Sequence, residues 1–148
     1  MPIENSNAMK WLFILLLVVV VLFVINECAT IGKKVNVPDS DRTLQDLIYR
    51  SAVPKSNEQL HDRVWWVPSG GHYQATKVSV MNAGKLYSTY AFQMVLQKSQ
   101  CDVYKTPTAS LPKCKPIASS PKVGCHVTLA WTDGDWTSIE IESYCSKQ

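Results

Sequence analysis

Four of the five cysteines lie in the last 48 residues, at Cys101, Cys114, Cys125 and Cys145, downstream of one long apolar run near the N-terminus. An even set of thiols in a short chain that enters an oxidising compartment reads as a disulfide framework, so two disulfides are expected. The fifth thiol, Cys28, sits at the end of the apolar run and would leave with it. Such a framework suits a small domain, whose core by itself is marginal.

The apolar run extends from Trp11 to Ile25, with Lys10 before it and Asn26, Glu27, Cys28 and Ala29 after it. Its fifteen residues match a secretory signal better than a membrane span, which needs about 20. Residues 1–29 are therefore read as a signal peptide, with an uncleaved signal anchor as the alternative, and the protein is expected to be secreted and extracellular. Lys10 on one flank and Lys33 with Lys34 on the other give no charge asymmetry that would orient an anchor. Residues 30–148 then form one domain of 119 residues with a formal charge of +4, from 14 basic and 10 acidic residues. Its basic residues are scattered from Lys33 to Lys147 without a run or interleaved aromatics, which points away from nucleic acid. No membrane contact is expected unless the N-terminal segment is retained, and the domain is expected to be a monomer.

Leu44, Leu47, Ile48 and Ala52 recur at helical spacing behind Pro38, Asp39 and Asp41, which predicts a helix that Pro54 stops near Val53. Lys55 to Gly71 reads as a strand-poor connector, in which one of the adjacent Trp65 and Trp66 packs inward. From Tyr73 the period switches to two. Val78 and Val80 alternate with polar residues, Asn82, Ala83 and Gly84 mark a turn, and Leu86, Tyr90, Phe92, Met94 and Leu96 line one face of a long strand. Prolines at 107, 112, 116 and 121 make Cys101 to Gly124 a loop region. Closing the loop from Cys101 to Cys114 would restrict the unfolded chain by about 3 kcal/mol.

The last segment carries a parity argument. A two-residue Asp133-Gly134 turn would place Thr132 opposite Asp135, Leu129 against Ser138 and Val127 against Glu140, mixing apolar and polar residues on one face, so that register should lose. Placing Cys125 opposite Cys145 instead sets Leu129 against Ile141 and Trp131 against Ile139, so the apolar faces agree. In that register the loop is Asp133 to Thr137, Trp131 is core, and Trp136 rides at the loop tip unless it folds back onto the sheet.

These residues carry a family resemblance. The chain resembles the secreted, two-disulfide (type 2) cystatins over roughly residues 32–148. The 19 residues between Cys125 and Cys145 match the family's closing hairpin, and Ala83-Gly84-Lys85-Leu86-Tyr87 looks like the family's Ala-Gly-x-x-Tyr. Gly32 looks like the glycine of the family's leading arm. The resemblance implies an α+β fold, with one N-terminal helix packed on a curved antiparallel sheet. It also implies that the cysteines pair first to second and third to fourth, as Cys101–Cys114 and Cys125–Cys145. Two motifs depart from the family: its Gln-x-Val-x-Gly falls on Val80-Met81-Asn82-Ala83-Gly84, where only the glycine matches, and its Pro-Trp falls on Asp133-Gly134, two residues before Trp136.

The activity so implied is inhibition of a papain-like cysteine protease by a wedge. Gly32, the turn at Asn82, Ala83 and Gly84, and the loop carrying Asp133, Gly134 and Trp136 would enter the active-site cleft. The alternative is a cystatin-like binding module that inhibits nothing and meets another extracellular partner through its loops or basic surface. An enzyme is not expected: Cys125 and His126 are adjacent, so on a strand they face opposite ways, and no nucleophile or phosphate motif occurs. No cofactor is implied, and His61, His72 and His126 lack metal-ligand spacing.

Overall fold

The structure is a computed structural model that describes residues 5–26 and 32–147. It divides into two units, each considered by itself. The first contains helix α1 (Asn5–Asn26), which carries the apolar run. No helix among the described residues is long and apolar enough to cross a membrane. The expected cut after Ala29, and Cys28 with it, lie outside the described residues.

The second unit holds a helical segment and six antiparallel strands: β1 (Val35–Asn36), β2 (Val64–Pro68), β3 (Thr76–Asn82), β4 (Lys85–Asp102), β5 (Lys122–Thr132) and β6 (Asp135–Lys147). They pair in the order β1-β3-β4-β5-β6, and β2 joins β4 beside its C-terminal half. Both disulfides are formed, Cys101–Cys114 and Cys125–Cys145.

The helical segment starts where the sequence places it. Asp41 caps helix α2 (Arg42–Leu47), its Oδ1 accepting from the Leu44 amide at 2.8 Å. Its end is a correction: Pro54 does not stop it. A π-helical turn (Ile48–Ala52) is followed by helix α3 (Val53–Leu60), in which Pro54 occupies the first turn. There its missing N–H and fixed φ cost little, and the widened turn before it accommodates the ring. The segment ends at His61, in the left-handed region at φ 48°. Leu44, Leu47, Ile48, Ala52 and Val53 are fully buried against Tyr90, Phe92, Met94 and Leu96 of β4 and Val127 and Leu129 of β5 in one core.

The supposed connector is also corrected. Its first part extends the helix and Val64–Pro68 is a strand, paired through Trp66↔Lys98 and Pro68↔Leu96. Both tryptophans are buried, because a strand beside β4 has a polar acceptor for each indole. Trp65 Nε1 donates to the Thr106 carbonyl at 3.1 Å and Trp66 Nε1 to Asp62 Oδ2 at 3.2 Å. Asn57 on α3 clamps this strand: its Oδ1 accepts from the Trp66 amide at 2.8 Å, and its Nδ2 donates to the Val53 and Trp66 carbonyls.

The helix also seals the sheet's far edge. Gln59 donates to the Ser143 carbonyl and accepts from the Cys145 amide at 3.2 Å, matching the hydrogen bonds that another strand would make. Ser56 and Ser143 hydroxyls meet at 2.6 Å beside it. An edge strand occupied in this way is less available for aggregation.

Two outcomes test this packing. Asn57→Ala leaves the Trp66 amide unpaired and should cost about 1–3 kcal/mol in urea unfolding, whereas a change below about 0.5 kcal/mol would mean the clamp is not formed. Burial raises the Tyr73 hydroxyl to about 12, with Tyr49 adding to the shift. A phenol neutral in the fold and ionised in the unfolded chain contributes stability below the ordinary tyrosine pKa of about 10, lost as pH rises toward 12. Absorbance titration near 295 nm should therefore lose its highest step in Tyr73→Phe, with a smaller change at its hydrogen-bond partner Tyr49.

Candidate functional site

The β3–β4 hairpin turns on Ala83-Gly84, with Asn82 opposite Lys85. Both turn residues have positive φ, 48° at Ala83 and 75° at Gly84, which is the primed turn whose twist matches a tight hairpin. A β-carbon on Gly84 would meet nothing within 4 Å, so glycine is required there by its φ and not by crowding.

The β5–β6 hairpin keeps the apolar register along its body but corrects the expected Asp133–Thr137 loop, closing instead on the two-residue turn that parity disfavours. Cys125↔Cys145, Val127↔Ser143, Leu129↔Ile141 and Ala130↔Glu140 follow the apolar register, with the cysteine Cα atoms 4.1 Å apart. Beyond Ala130 the ladder shifts, and Thr132 pairs with Asp135 around a two-residue Asp133-Gly134 turn. The extra residues of β6 bulge out, which a continuous ladder does not allow for. Local polar side chains hold the bulge: Asp135 Oδ1 accepts from the Thr137 amide at 3.0 Å and its hydroxyl at 2.6 Å. Ser138 Oγ accepts from the Thr132 amide and donates to the Asp135 carbonyl, each at 2.8 Å. The Thr137 hydrogen bonds lower the Asp135 pKa, so this part of the bulge contributes stability above the ordinary aspartate range and loses it in acid.

The bulge corrects the place of Trp136. The hairpin tip is Asp133-Gly134, and Trp136 lies behind it, folded onto Trp131 with ring centroids 5.2 Å apart. The Arg50 guanidinium sits 4.7 Å above the Trp136 ring, which stays 38% exposed. Trp131 is core, as parity requires.

The two turns lie side by side. The Asp133 amide donates to the Leu86 carbonyl at 2.9 Å, and Asp133 Oδ2 meets Lys77 Nζ of β3 at 3.6 Å. Burial weighs against a charge on Lys77, but the Tyr90 hydroxyl and the Asp133 carboxylate outweigh it and raise its pKa. Along the other edge of β3 runs the arm: Val35 pairs with Lys77, and Gly32 lies so close to the chain at Ser79 that a β-carbon would overlap the Ser79 carbonyl. Antiparallel pairing directs the arm toward the Asn82–Lys85 turn. Gly32, Asn82, Ala83, Gly84, Asp133 and Gly134 thus share one end of the sheet, and Trp136 supports it from behind. Sequence reasoning missed Met81 and Tyr87, which are 57% and 42% exposed beside the first turn. A Val80-Met81 pair ahead of a turn glycine was the available signal.

No family model matches the sequence, and no curated protein does. Among solved structures, the crystal structure of Al-CPI superposes with a TM-score of 0.54 at 16% identity, over 79% of this chain and all (100%) of that one. The likeness shows that the fold is the cystatin-like α+β fold, a helix on an antiparallel sheet with two C-terminal disulfides.

Trp136→Ala should lower stability by about 1–2 kcal/mol, from the lost aromatic pair and the lost cation–π contact. Chemical denaturation measures this directly. An unchanged midpoint would mean that Trp136 is not held by Trp131 and Arg50.

Proposed function

We propose that this chain is a secreted inhibitor of a papain-like cysteine protease, and that it acts by filling the active-site cleft. The observation that carries the reading is the hydrogen bond from the Asp133 amide to the Leu86 carbonyl, which sets the two hairpin turns level at one end of the sheet. The arm at Gly32 runs toward the same end. The cystatin-like fold shared with Al-CPI supplies the scaffold that this reading needs.

The inhibitor performs no chemistry in this reading. The arm, the Asn82-Ala83-Gly84 turn and the Asp133-Gly134 turn present three segments to a cleft, and their relative positions are set before binding. Such preorganisation spares the ordering cost that flexible loops meet on association. Met81 and Tyr87 supply the exposed apolar area at the first turn that the absent glutamine and valine do not. Asp133 would approach the cleft already paired with Lys77, which lowers the penalty for desolvating its carboxylate. The two disulfides fit an oxidising, extracellular setting, where the domain would act after removal of residues 1–29.

The departure at Val80-Met81-Asn82-Ala83-Gly84 favours a second reading. In it the domain keeps the scaffold and binds an extracellular partner that is not a protease.

Titration against papain and several cathepsin-like proteases separates the two. The first reading expects inhibition at or below micromolar concentration, and no inhibition at tens of micromolar overturns it. Gly32→Val should displace the arm from Ser79 and weaken inhibition about tenfold, or 1.4 kcal/mol, with little change in the urea midpoint. Equal inhibition by the variant would remove the arm from the mechanism.

A further inference from the structure

The lysines that look scattered in sequence are gathered by the topology. β4 leaves the two turns at Lys85 and ends at Asp102, and the opposite pole of the domain is built around that end. β2 begins there, with the Arg63 carbonyl accepting from the Val103 amide at 2.9 Å. The segment after Cys114 returns there as well: Pro116 bridges to Ser99, and the Ile117 amide donates to the Lys98 carbonyl at 2.7 Å. β5 starts there with Lys122 opposite Gln97, and β6 ends there with Lys147 opposite Val123. Arg63, Lys98, Lys105, Lys113, Lys115, Lys122 and Lys147 therefore gather toward one pole with Asp62 and Asp102, and where the Thr108–Lys113 segment meets the helix, Asp46 and Arg50 offset each other, so the surplus is five.

Lys98 is paired with Asp62 at 2.8 Å, and the other six basic residues are exposed and outside the ion pairs formed among the described residues. Residues 30–148 carry a formal charge of +4, so a surplus of five at this pole leaves the rest of the domain close to neutral, at −1. Toward the turn end, Asp133, Asp135, Glu140 and Glu142 are balanced by Lys33, Lys34, Lys77 and Lys85. The positive charge of the domain is therefore concentrated at one end of β4, away from the candidate protease site.

The pole is also rigid. The Cys101–Cys114 disulfide fixes Lys113 and Lys115 beside β4. Gln97, almost fully buried, holds the following segment by donating to the Ala118 and Ser120 carbonyls at 3.2 and 2.9 Å, while its Oε1 accepts from Ser69. Lysines on a preordered frame lose less entropy when a ligand engages them.

We propose that this pole docks a sulfated polysaccharide, so that the domain is tethered by one end with its two turns facing away. A surplus of exposed lysines attracts a polyanion, and that attraction is strong at low salt and steep in its salt dependence. The disulfides place the domain in an oxidising compartment. Anionic lipid is concentrated in the cytoplasmic leaflet, which makes headgroups the poorer partner outside the cell.

Heparin-affinity chromatography of the protein expressed from the full chain, with a heparan sulfate oligosaccharide in solution, tests the proposal. The triple variant Lys113→Gln, Lys115→Gln, Lys122→Gln is compared with Lys33→Gln, Lys34→Gln, Arg42→Gln, which removes the same charge away from the pole. The parent and the second variant should be retained at about 0.15 M salt, and the first should bind about tenfold to a hundredfold more weakly with a shallower salt slope. Failure of the parent to bind overturns the proposal, and so does equal loss in both variants, which would reflect net charge alone. Equal or tighter binding to phosphatidylserine vesicles would replace the polysaccharide with a lipid headgroup and overturn it as well.

Discussion

The pairing of β4 is the constraint on which the rest of the domain depends. Its 18 residues hydrogen-bond to β3 and then β2 along one edge and to β5 along the other, so three strands take their positions from one. Its inward face, Tyr90, Phe92, Met94 and Leu96, is also what the helix covers. A slip of one residue would move this set to solvent and expose Gln93 and its neighbours to the core. Burying four such side chains contributes about 1.5–3 kcal/mol each, more than a slipped ladder could recover. The register of β4 is therefore fixed by burial, and the two turns at its start inherit that register.

The two proposed surfaces lie at opposite ends of the same strand. At one end, the Ala83-Gly84 and Asp133-Gly134 turns are joined by the bond from Asp133 to Leu86. At the other end, a disulfide and Gln97 hold a lysine-bearing segment. An extended strand of this length spans up to roughly 55 Å, less after curvature. A partner at one end would not obstruct a partner at the other.

The sequence made the architecture legible through periodicity and cysteine positions. The helix start behind Asp39 and Asp41 and the β3–β4 turn follow from residue types at fixed spacing, the register that faces Cys125 with Cys145 follows from apolar parity, and the disulfide pairing follows from the family resemblance. The features that escaped share a physical reason: a local rule was overridden by a neighbour remote from it or by a change of hydrogen-bond register. Pro54 ends an ordinary helix, but a π turn places it at a fresh helix start. Trp65 and Trp66 are both buried because β4, far along the chain, supplies the pairing and Thr106 and Asp62 supply the acceptors. Parity assumed one continuous register for β5 and β6, whereas Asp135, Thr137 and Ser138 form a bulge that permits two. That bulge moves Trp136 from the tip to a place behind it. The basic pole was invisible for a related reason, since its lysines are distant in sequence and only the return of β5 and β6 to the end of β4 collects them.

The central claim is that the arm and both turns form one preset surface for a cysteine protease. Amide hydrogen exchange, measured with and without an active-site-blocked papain-like protease, tests it most directly. The account predicts that protection on binding rises together at residues 32–36, 82–86 and 132–135, with little change at residues 113–122. Protection confined to one of these segments, or appearing instead around the disulfide-linked loop at Cys101–Cys114, would contradict it.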